Sequence, residues 1–256
     1  MKNLFDVKGK IAVVTGGSRG IGAMIARGFV ENGVKVYISA RKERELRETE
    51  AELARLGECV AIPSDLSTVQ GVNSFAEAVK QREERLDILV NNAGATWGAP
   101  LEDFPESGWD RTVDLNLKAM FFLTQQLLPL LRAAGSPENP ARVLNIGSAN
   151  GITHPHMNNY AYSASKAAVH HLTRHLGAEL APQGINVNAI APGLFPSKMT
   201  AHLLDEEEAL AAGMPCGRLG DAADAAGTAI YLSSRASAWM TGHTLVLDGG
   251  WVANAG

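Results

Sequence analysis

The sequence has few of the features that would set it apart from ordinary globular proteins. Only two of its 256 residues are cysteine, and Cys59 and Cys216 lie too far apart for a C-x-x-C or zinc-ligand pattern. Its 23 lysines and arginines are outnumbered by 27 acidic residues, which argues against a nucleic-acid partner. No stretch approaches the roughly 20 apolar residues of a membrane span, and the N-terminus lacks the apolar core of a signal peptide. These absences predict a cytoplasmic protein.

Short apolar runs alternate with longer helical patterns along the whole chain. Buried parallel strands read as short continuous hydrophobic runs, because helices cover both faces of their sheet. Such runs occupy residues 11–14, 34–38, 60–62, 88–90, 143–146, 185–190 and 244–247. No linker, repeat or low-complexity tract divides them. The sequence therefore predicts one doubly wound, Rossmann-type α/β domain over residues 1–256, with about seven parallel strands and helices on both faces.

A glycine-rich segment, residues 15–22, directly follows the first predicted strand and reads TGGSRGIG. Glycine lets the backbone turn sharply and approach a ligand closely, and the helix that follows supplies free N–H groups for a phosphate. The spacing differs from the usual G-x-G-x-x-G fingerprint, and a plain turn would also use glycine. Its place in the first βα turn favours a dinucleotide site. The predicted contacts are Gly16, Ser18, Arg19, Gly20 and Ile21.

The end of the second predicted strand indicates which dinucleotide binds. An NAD site usually has Asp or Glu there to hold the ribose, whereas Arg suits the 2′-phosphate of NADP. In this sequence Ala40 stands where the acid is expected, and Arg41 follows it. Arg19 in the glycine segment is a second candidate for the same phosphate. The pattern favours NADP(H). The alternative is that Arg41 is only a solvated charge at the start of a helix.

Tyr162 and Lys166 are four residues apart in a predicted helix, so they lie side by side on one face. A free tyrosine has a pKa of about 10, and acid–base work near neutrality requires that pKa to fall by about 3. A neighbouring ammonium favours the phenolate and lowers the pKa. Tyr160 is the competing tyrosine, but Ala164 stands four residues after it. Alone, a Tyr-x-x-x-Lys pair is usually structural.

Three further polar positions accompany this pair. Ser148 follows the fifth predicted strand, and the segment Asn91-Asn92-Ala93-Gly94 follows the fourth. Both lie where open α/β sheets bind ligands, although each also suits a plain turn. Asn116 lies among apolar neighbours in the predicted helix 109–131, so we expect it to be buried and hydrogen-bonded. A structural role suits Asn116 as well as a catalytic one.

In this order and spacing, the motifs resemble the short-chain dehydrogenase/reductase family over essentially the whole chain. They are residues 15–22, 91–94, Asn116, Ser148, Tyr162-x-x-x-Lys166, Pro192-Gly193 and residues 248–250. The resemblance implies hydride exchange between a nicotinamide and a carbonyl or secondary alcohol. It also implies a homodimer or homotetramer, with residues 118–131 and 169–180 buried between subunits.

The same resemblance implies a role for each site residue. Tyr162 would donate a proton to the carbonyl oxygen, and Ser148 would hydrogen-bond that oxygen. Lys166 would lower the pKa of the tyrosine and hold the nicotinamide ribose, with Asn116 anchoring a water relay to it. The further cofactor contacts carried over in this way are Asp65, Leu66, Asn92, Ala93, Gly94, Pro192, Gly193 and Ser197.

Residues 91–100, 125–131 and 138–142 resemble, within this family, the NADPH-dependent β-ketoacyl reductases associated with rhamnolipid synthesis. The expected pocket walls are residues 95–97, 151–157 and a substrate lid at about 194–215. Their apolar side chains include Trp97, Met157, Leu194, Phe195, Met199, Leu203 and Leu204. Such a lining predicts reduction of a 3-oxoacyl group or another lipophilic ketone.

Other interpretations stay open at this point. A sugar-acid or polyol dehydrogenase of the same family would use His154, His156 and Asn158 as polar contacts. A non-catalytic dinucleotide sensor suits the same fold, although it has no need of an acid–base pair. His171 and His175 are four residues apart but lack a third ligand or an H-E-x-x-H pattern, so no metal site is predicted.

Overall fold

Seven parallel strands form one sheet in the computed structural model of the chain, which describes residues 3–154, 157–196 and 207–254. The strands are β1 (Ile11–Thr15), β2 (Lys35–Ala40), β3 (Cys59–Pro63), β4 (Ile88–Asn91), β5 (Ala141–Ile146), β6 (Ile185–Pro192) and β7 (Thr244–Leu247). Their order across the sheet is β3-β2-β1-β4-β5-β6-β7, and every neighbouring pair is parallel. The predicted doubly wound α/β fold is confirmed, and each apolar run lies on a strand.

Helices cover both faces of this sheet. In the described part of the chain they are α1 (Gly20–Glu31), α2 (Glu43–Leu53), α3 (Val69–Lys80), α4 (Glu106–Val113), α5 (Ala119–Ala134), α6 (Tyr160–Leu180), α7 (Glu207–Ala212), α8 (Ala222–Ser233) and α9 (Trp251–Asn254). Successive strand residues point to opposite faces. Val14 therefore packs with Phe29 of α1 in one hydrophobic core, and Val13 packs with Leu127 of α5 in the other.

The crevice between β1 and β4 is where the strand order reverses, since the chain runs outward from β1 to β3 and then returns to β4. Ligands bind at such a switch point in open α/β sheets. Thr15, at the end of β1, ties the two strands together. Its buried hydroxyl accepts hydrogen bonds from the Asn92 and Ala93 N–H groups, both at 2.9 Å, and donates to the Val90 carbonyl at 3.3 Å.

The helical stretch predicted over residues 109–131 is confirmed, and the structure adds a feature that the sequence did not predict. A single π-helical turn, Asp114–Lys118, joins α4 to α5 and contains Asn116. Turns of this kind occur frequently at functional sites in proteins.

The described residues contain neither a candidate membrane-spanning helix nor a candidate metal site. None of their helices is both long and apolar enough to span a bilayer. No three His, Cys, Asp or Glu side chains within residues 3–154, 157–196 and 207–254 gather in a way that could hold a metal ion. His171 and His175 are both exposed on α6.

Candidate active site

A cavity of about 420 Å³ opens at the carboxyl ends of the strands around the switch point. Most of the site residues predicted from the sequence line it. They are Gly16, Ser18, Arg19, Gly20, Ile21, Arg41, Leu66, Asn92, Ala93, Gly94, Ser148, Tyr162, Lys166, Pro192 and Gly193. Asp65 and Asn116 lie outside this wall, and Ser197 lies outside the described residues. One continuous cavity thus joins the glycine segment to the Tyr–Lys pair.

The glycine segment has the shape that its sequence predicts. Gly16 has φ +65°, a conformation that side chains with a Cβ atom rarely adopt. A methyl group at Gly22 would run into the Asn92 amide nitrogen and the Gly16 carbonyl. That amide nitrogen donates to the Thr15 carbonyl at 2.8 Å and to the Gly16 carbonyl at 3.2 Å. The side chain of Asn92 therefore holds the turn in place at the wall of the cavity.

The N-terminus of α1 faces the cavity just beyond this turn. Gly20 and Ile21, its first residues, line the wall. Arg19 precedes the helix and offers the helix N–H groups no side-chain acceptor, and its guanidinium pairs with Glu45 at 3.2 Å. The first turn also carries no acidic side chain. N–H groups at such a helix start form a favourable site for a phosphate.

A cluster of charged side chains lies at one end of the cavity. Arg19, Arg41 and Lys42 line the wall there, together with Glu45. The Glu45 carboxylate pairs with the Arg19 guanidinium at 3.2 Å and with the Lys42 ammonium, also at 3.2 Å. Three cations thus stand near two acids, Glu45 and Asp65, the second of which interacts with Arg41, and the excess of positive charge makes this end favourable for a phosphate group. Sequence reasoning found the two arginines but missed Glu45 and Lys42.

Asp65, for which the family resemblance implied a cofactor contact, is not part of the cavity wall. It is exposed after β3, and its carboxylate accepts hydrogen bonds from the Ser67 N–H at 3.0 Å and the Ser67 hydroxyl at 2.7 Å. The next residue, Leu66, is buried and does line the cavity. A cofactor contact of Asp65 therefore stays a prediction, while the position of Leu66 agrees with its predicted role.

Ser148, Tyr162 and Lys166 meet on the opposite part of the wall. Ser148 lies two residues after β5 and directly before a 3₁₀ turn, and its hydroxyl accepts a hydrogen bond from the Asn150 N–H at 3.1 Å. The same hydroxyl hydrogen-bonds the Tyr162 phenol. Lys166 is 5% exposed, and its ammonium lies 5.6 Å from the centroid of the Tyr162 ring. Tyr160 instead lies on the surface, with its ring edge-on to Phe104.

The pKa of Tyr162 shifts in the direction opposite to the one expected from the sequence. Burial raises the pKa of this phenol, and the hydrogen bond with Ser148 opposes the shift only in part. The Lys166 ammonium donates to the Ile146 carbonyl at 2.7 Å, and no hydrogen bond from it to the phenol is present among the described residues. Burial also lowers the pKa of Lys166, to about 8. Tyr162 is therefore protonated at neutral pH and can act as an acid.

Asn116 is buried behind the cavity wall, as its apolar neighbours predicted. Its amide oxygen accepts from the Ala95 N–H at 2.7 Å, and its amide nitrogen donates to the Ala95 carbonyl and the Ser165 hydroxyl, both at 3.0 Å. These bonds join the π-helical turn to the segment after β4 and to α6. A methyl group added at Gly94 would lie 3.2 Å from the Asn116 amide oxygen and 3.7 Å from the Lys166 ammonium. Asn116 and Lys166 thus flank Gly94.

Two residues near the cavity were missed by sequence reasoning. Arg111 lines the wall, with its guanidinium carbon 5.7 Å from the centroid of the Trp97 ring. His170 is buried, and its Nε2 atom accepts from the Ser148 N–H at 3.4 Å. His170 follows Lys166 by four residues, so the spacing that pairs Tyr162 with Lys166 would have placed His170 on the same helix face. Nothing in the sequence pattern singles out Arg111.

Comparison with known proteins agrees with this geometry. The model of the short chain dehydrogenase family matches residues 10–208. The chain is 50% identical over 254 residues to the rhamnolipids biosynthesis 3-oxoacyl-[acyl-carrier-protein] reductase of Pseudomonas aeruginosa, covering 98% of this chain and 99% of that protein. This match confirms the resemblance drawn from residues 91–100, 125–131 and 138–142.

Two further relatives extend the comparison. The chain is 38% identical over 260 residues to the 2-dehydro-3-deoxy-D-gluconate 5-dehydrogenase of Bacillus subtilis, covering 99% of this chain and 98% of that one. Among solved structures, the Pseudomonas aeruginosa RhlG/NADP active-site complex superposes with a TM-score of 0.95 at 49% identity, covering 98% of this chain and all of that one. With its fold, motifs and full-length relatives in agreement, the chain belongs to the short-chain dehydrogenase family.

Proposed function

We propose that this protein is an NADP(H)-dependent oxidoreductase that reduces the carbonyl of a 3-oxoacyl group, or of another lipophilic ketone, to a secondary alcohol. The observation that carries the proposal is that Ser148, Tyr162 and Lys166 share one cavity with the glycine segment, residues 15–22. An acid–base group beside a dinucleotide site is what carbonyl reduction requires. The Pseudomonas aeruginosa reductase supports the substrate class, since it is named for a 3-oxoacyl substrate.

The residues present fit NADP(H). The turn at Gly16 and the N-terminus of α1 provide N–H groups for a pyrophosphate, and Arg41 with Arg19 provides charge for a 2′-phosphate. Pro192 and Gly193 line the cavity beyond the Tyr–Lys pair, where the nicotinamide would lie. The bound cofactor supplies the hydride. Ser197 and Asp65 complete the proposed contacts.

The protein's own side chains carry out the proton transfers, each with a different role. Tyr162, protonated at neutral pH, donates its proton to the carbonyl oxygen as negative charge develops there. The Ser148 hydroxyl hydrogen-bonds the same oxygen and keeps the phenol oriented. The Lys166 ammonium, 5.6 Å from the Tyr162 ring centroid, stabilises the phenolate left behind and holds the nicotinamide ribose. Lys166 then passes a proton to the phenolate, and a water relay that Asn116 anchors returns a proton from solvent to Lys166.

The substrate is expected to lie beside Tyr162, and the lid expected over residues 194–215 includes residues 197–206, which lie outside the described part of the chain. Of the apolar side chains expected in the walls, Phe195 is buried and lines the cavity, whereas Trp97, Met157 and Leu194 are not part of the described lining. The Trp97 ring instead packs against Gly108 of α4, where a methyl group would clash with it. Met199, Leu203, Leu204 and His156 lie outside the described residues. Phe195 and Leu115, two large apolar side chains of the described lining, suit an acyl chain better than a sugar.

Reduction of a sugar acid is the second candidate function, and Arg111 favours it. This guanidinium lines the same cavity and stacks on Trp97 without a carboxylate partner among the described residues. An arginine in such a position suits the carboxylate of a polar substrate. The Bacillus subtilis relative is named as a dehydrogenase of a sugar acid. The two candidates differ in how activity responds to chain length.

We also propose that the protein works in the cytoplasm as a homotetramer or homodimer. Cys59 and Cys216 are both free thiols, as suits a reducing compartment. Phe121 on α5 is 36% exposed, and its ring lies 5.4 Å from that of the neighbouring Phe122. A contiguous apolar patch of sufficient size on this helix would suit an interface. Residues 118–131 and 169–180 are the proposed contact helices.

The Tyr162→Phe variant tests the acid assignment. We expect turnover to fall by about 10² to 10⁴-fold, because the phenol is the proton donor. The dissociation constant for NADPH, measured by fluorescence titration, is expected to stay within about twofold. Tyr160→Phe is the matched control, since its ring lies on the surface. Equal losses of turnover in the two variants would overturn the assignment.

The Arg41→Ala variant tests the cofactor assignment. Loss of a charged hydrogen bond to the 2′-phosphate costs about 1.5 to 3 kcal/mol, so we expect KM for NADPH to rise about 10- to 100-fold. KM for NADH is expected to change little, because NADH lacks the phosphate. Arg44→Ala is the control, since that side chain is 90% exposed and pairs with Glu48. A wild-type preference for NADH would contradict the assignment.

Steady-state kinetics on 3-oxoacyl thioesters of increasing length, beside a keto-sugar acid, separate the two candidate substrates. An apolar pocket is expected to raise kcat/KM with length, by up to about 0.8 kcal/mol, or about fourfold, for each buried methylene. Rapid reduction of the keto-sugar acid with a flat chain-length profile would establish the sugar-acid function instead.

Light scattering after size-exclusion chromatography tests the oligomeric state. At micromolar concentration we expect the mass of a tetramer or dimer, and we expect Phe121→Glu to shift it toward the monomer because a charge would be buried. Leu56→Glu is the control, with a similar exposure of 43% in a different part of the surface. A wild-type protein that elutes as a stable monomer would refute the proposal.

A further inference from the structure

The buried imidazole of His170 lies beneath the short segment that carries Ser148. His170 is on α6, one turn after Lys166 and two turns after Tyr162, and it is 7% exposed. The segment above it, residues 147–151, runs from the end of β5 through Ser148 into a 3₁₀ turn, Ala149–Gly151. Neither the glycine segment nor the Tyr–Lys pair explains why a polar ring is buried at this position.

Two hydrogen bonds join the imidazole to the backbone of this segment. Its Nε2 atom accepts from the Ser148 N–H at 3.4 Å. The ring also bonds the backbone of Gly151, at the other end of the segment. A neutral imidazole has one acceptor and one donor nitrogen, so the donor serves the Gly151 carbonyl. His170 thus bridges the residue before the 3₁₀ turn and the residue that ends it.

Glycines on both sides of Ser148 permit this close packing. A methyl group at Gly147 would run into the Nε2 atom of His170. A methyl group at Gly151 would lie 2.6 Å from the Lys166 carbonyl carbon and 2.7 Å from the Ala167 nitrogen. The segment therefore lies directly on α6, and the imidazole fills the space under Ser148.

The charges around the ring keep it in the form that this bridge needs. Burial lowers the pKa of His170 to about 4, and the Lys166 ammonium and the Arg174 guanidinium act in the same direction, against the bond to Gly151. The ring is therefore neutral over the working pH range. An imidazolium would carry a proton on both nitrogens and could not accept from the Ser148 N–H.

We propose that His170 is a positioning residue, which fixes the backbone of Ser148 so that the serine hydroxyl stays at the Tyr162 phenol. This inference rests on the proposed function, because it assigns His170 no chemistry other than through Ser148. A hydroxyl that has to meet both a phenol and a carbonyl oxygen must be held closely, since a displacement of about 1 Å can cost about 10²-fold in rate.

The first test replaces the imidazole and restores part of its hydrogen bonding. We expect His170→Ala to lower kcat about 10- to 100-fold, a loss of the size that misplacement of a catalytic group causes, with the dissociation constant for NADPH nearly unchanged. His170→Gln retains an acceptor and a donor, and we expect it to recover much of the lost kcat. His171→Ala, at the exposed neighbouring position, is the control and should leave kcat unchanged.

A double-mutant cycle with Ser148→Ala shows whether His170 acts through the serine. If it does, His170→Ala should lower kcat much less in the Ser148→Ala background than in the wild-type protein. Equal effects in both backgrounds, or full activity of His170→Ala, would overturn the inference. Urea unfolding of each variant measures stability separately, and if His170→Ala does not fold, the same cycle is run with His170→Leu, which fills the space of the ring but cannot accept from the Ser148 N–H. Ser148→Ala with wild-type kcat would instead refute the proposed function.

Discussion

The buried ammonium of Lys166 is the constraint on which the rest of the site depends. A charge this far from water is costly unless it is hydrogen-bonded, and the Ile146 carbonyl at the end of β5 provides that bond at 2.7 Å. Burial keeps His170 neutral, the ammonium acts in the same direction, and the neutral imidazole accepts from the Ser148 N–H. The residues packed around the Lys166 ammonium must also be small. At Gly94, for example, a methyl group would lie 3.7 Å from the ammonium.

The two halves of the site are joined by polar groups buried at the carboxyl ends of the strands. Thr15 links β1 to the segment after β4, and Asn92 holds the glycine turn from that segment. Asn116 then connects Ala95, in the same segment, to Ser165 on α6, beside Lys166. A dinucleotide groove and an acid–base pair are therefore parts of one hydrogen-bonded framework. A shift in the segment after β4 would disturb both.

The elements that follow from local patterns were predicted well from the sequence. Each strand is visible in the sequence as a short apolar run. Helices cover both faces of the parallel sheet, so successive strand residues are buried alike. The glycine segment was found from its place in the first βα turn, and the Tyr–Lys pair from its spacing together with the other family motifs. The structure places both on one cavity. The π-helical turn at Asn116 was missed, since the sequence pattern indicates a helix but not which of its turns is widened.

What the sequence could not predict depends on contacts between distant segments. Glu45 pairs with Arg19 across 26 positions, and His170 reaches Ser148 across 22. The direction of the Tyr162 pKa shift depends on burial, which the tertiary fold decides, and the Lys166 ammonium donates to the Ile146 carbonyl, 20 positions away. Spacing on α6 shows that Tyr162 and Lys166 are neighbours. It does not show which atoms they bond.

The central claim is that this cavity transfers a hydride to a substrate carbonyl. It is tested most directly by following deuterium from the two C4-deuterated forms of NADPH into a 3-oxoacyl thioester, with detection by mass spectrometry and NMR. We expect one of the two forms, and only one, to place a single deuterium on the carbon that bears the new hydroxyl, because a fixed site presents one face of the nicotinamide. Product without deuterium at that carbon from either form would contradict the account.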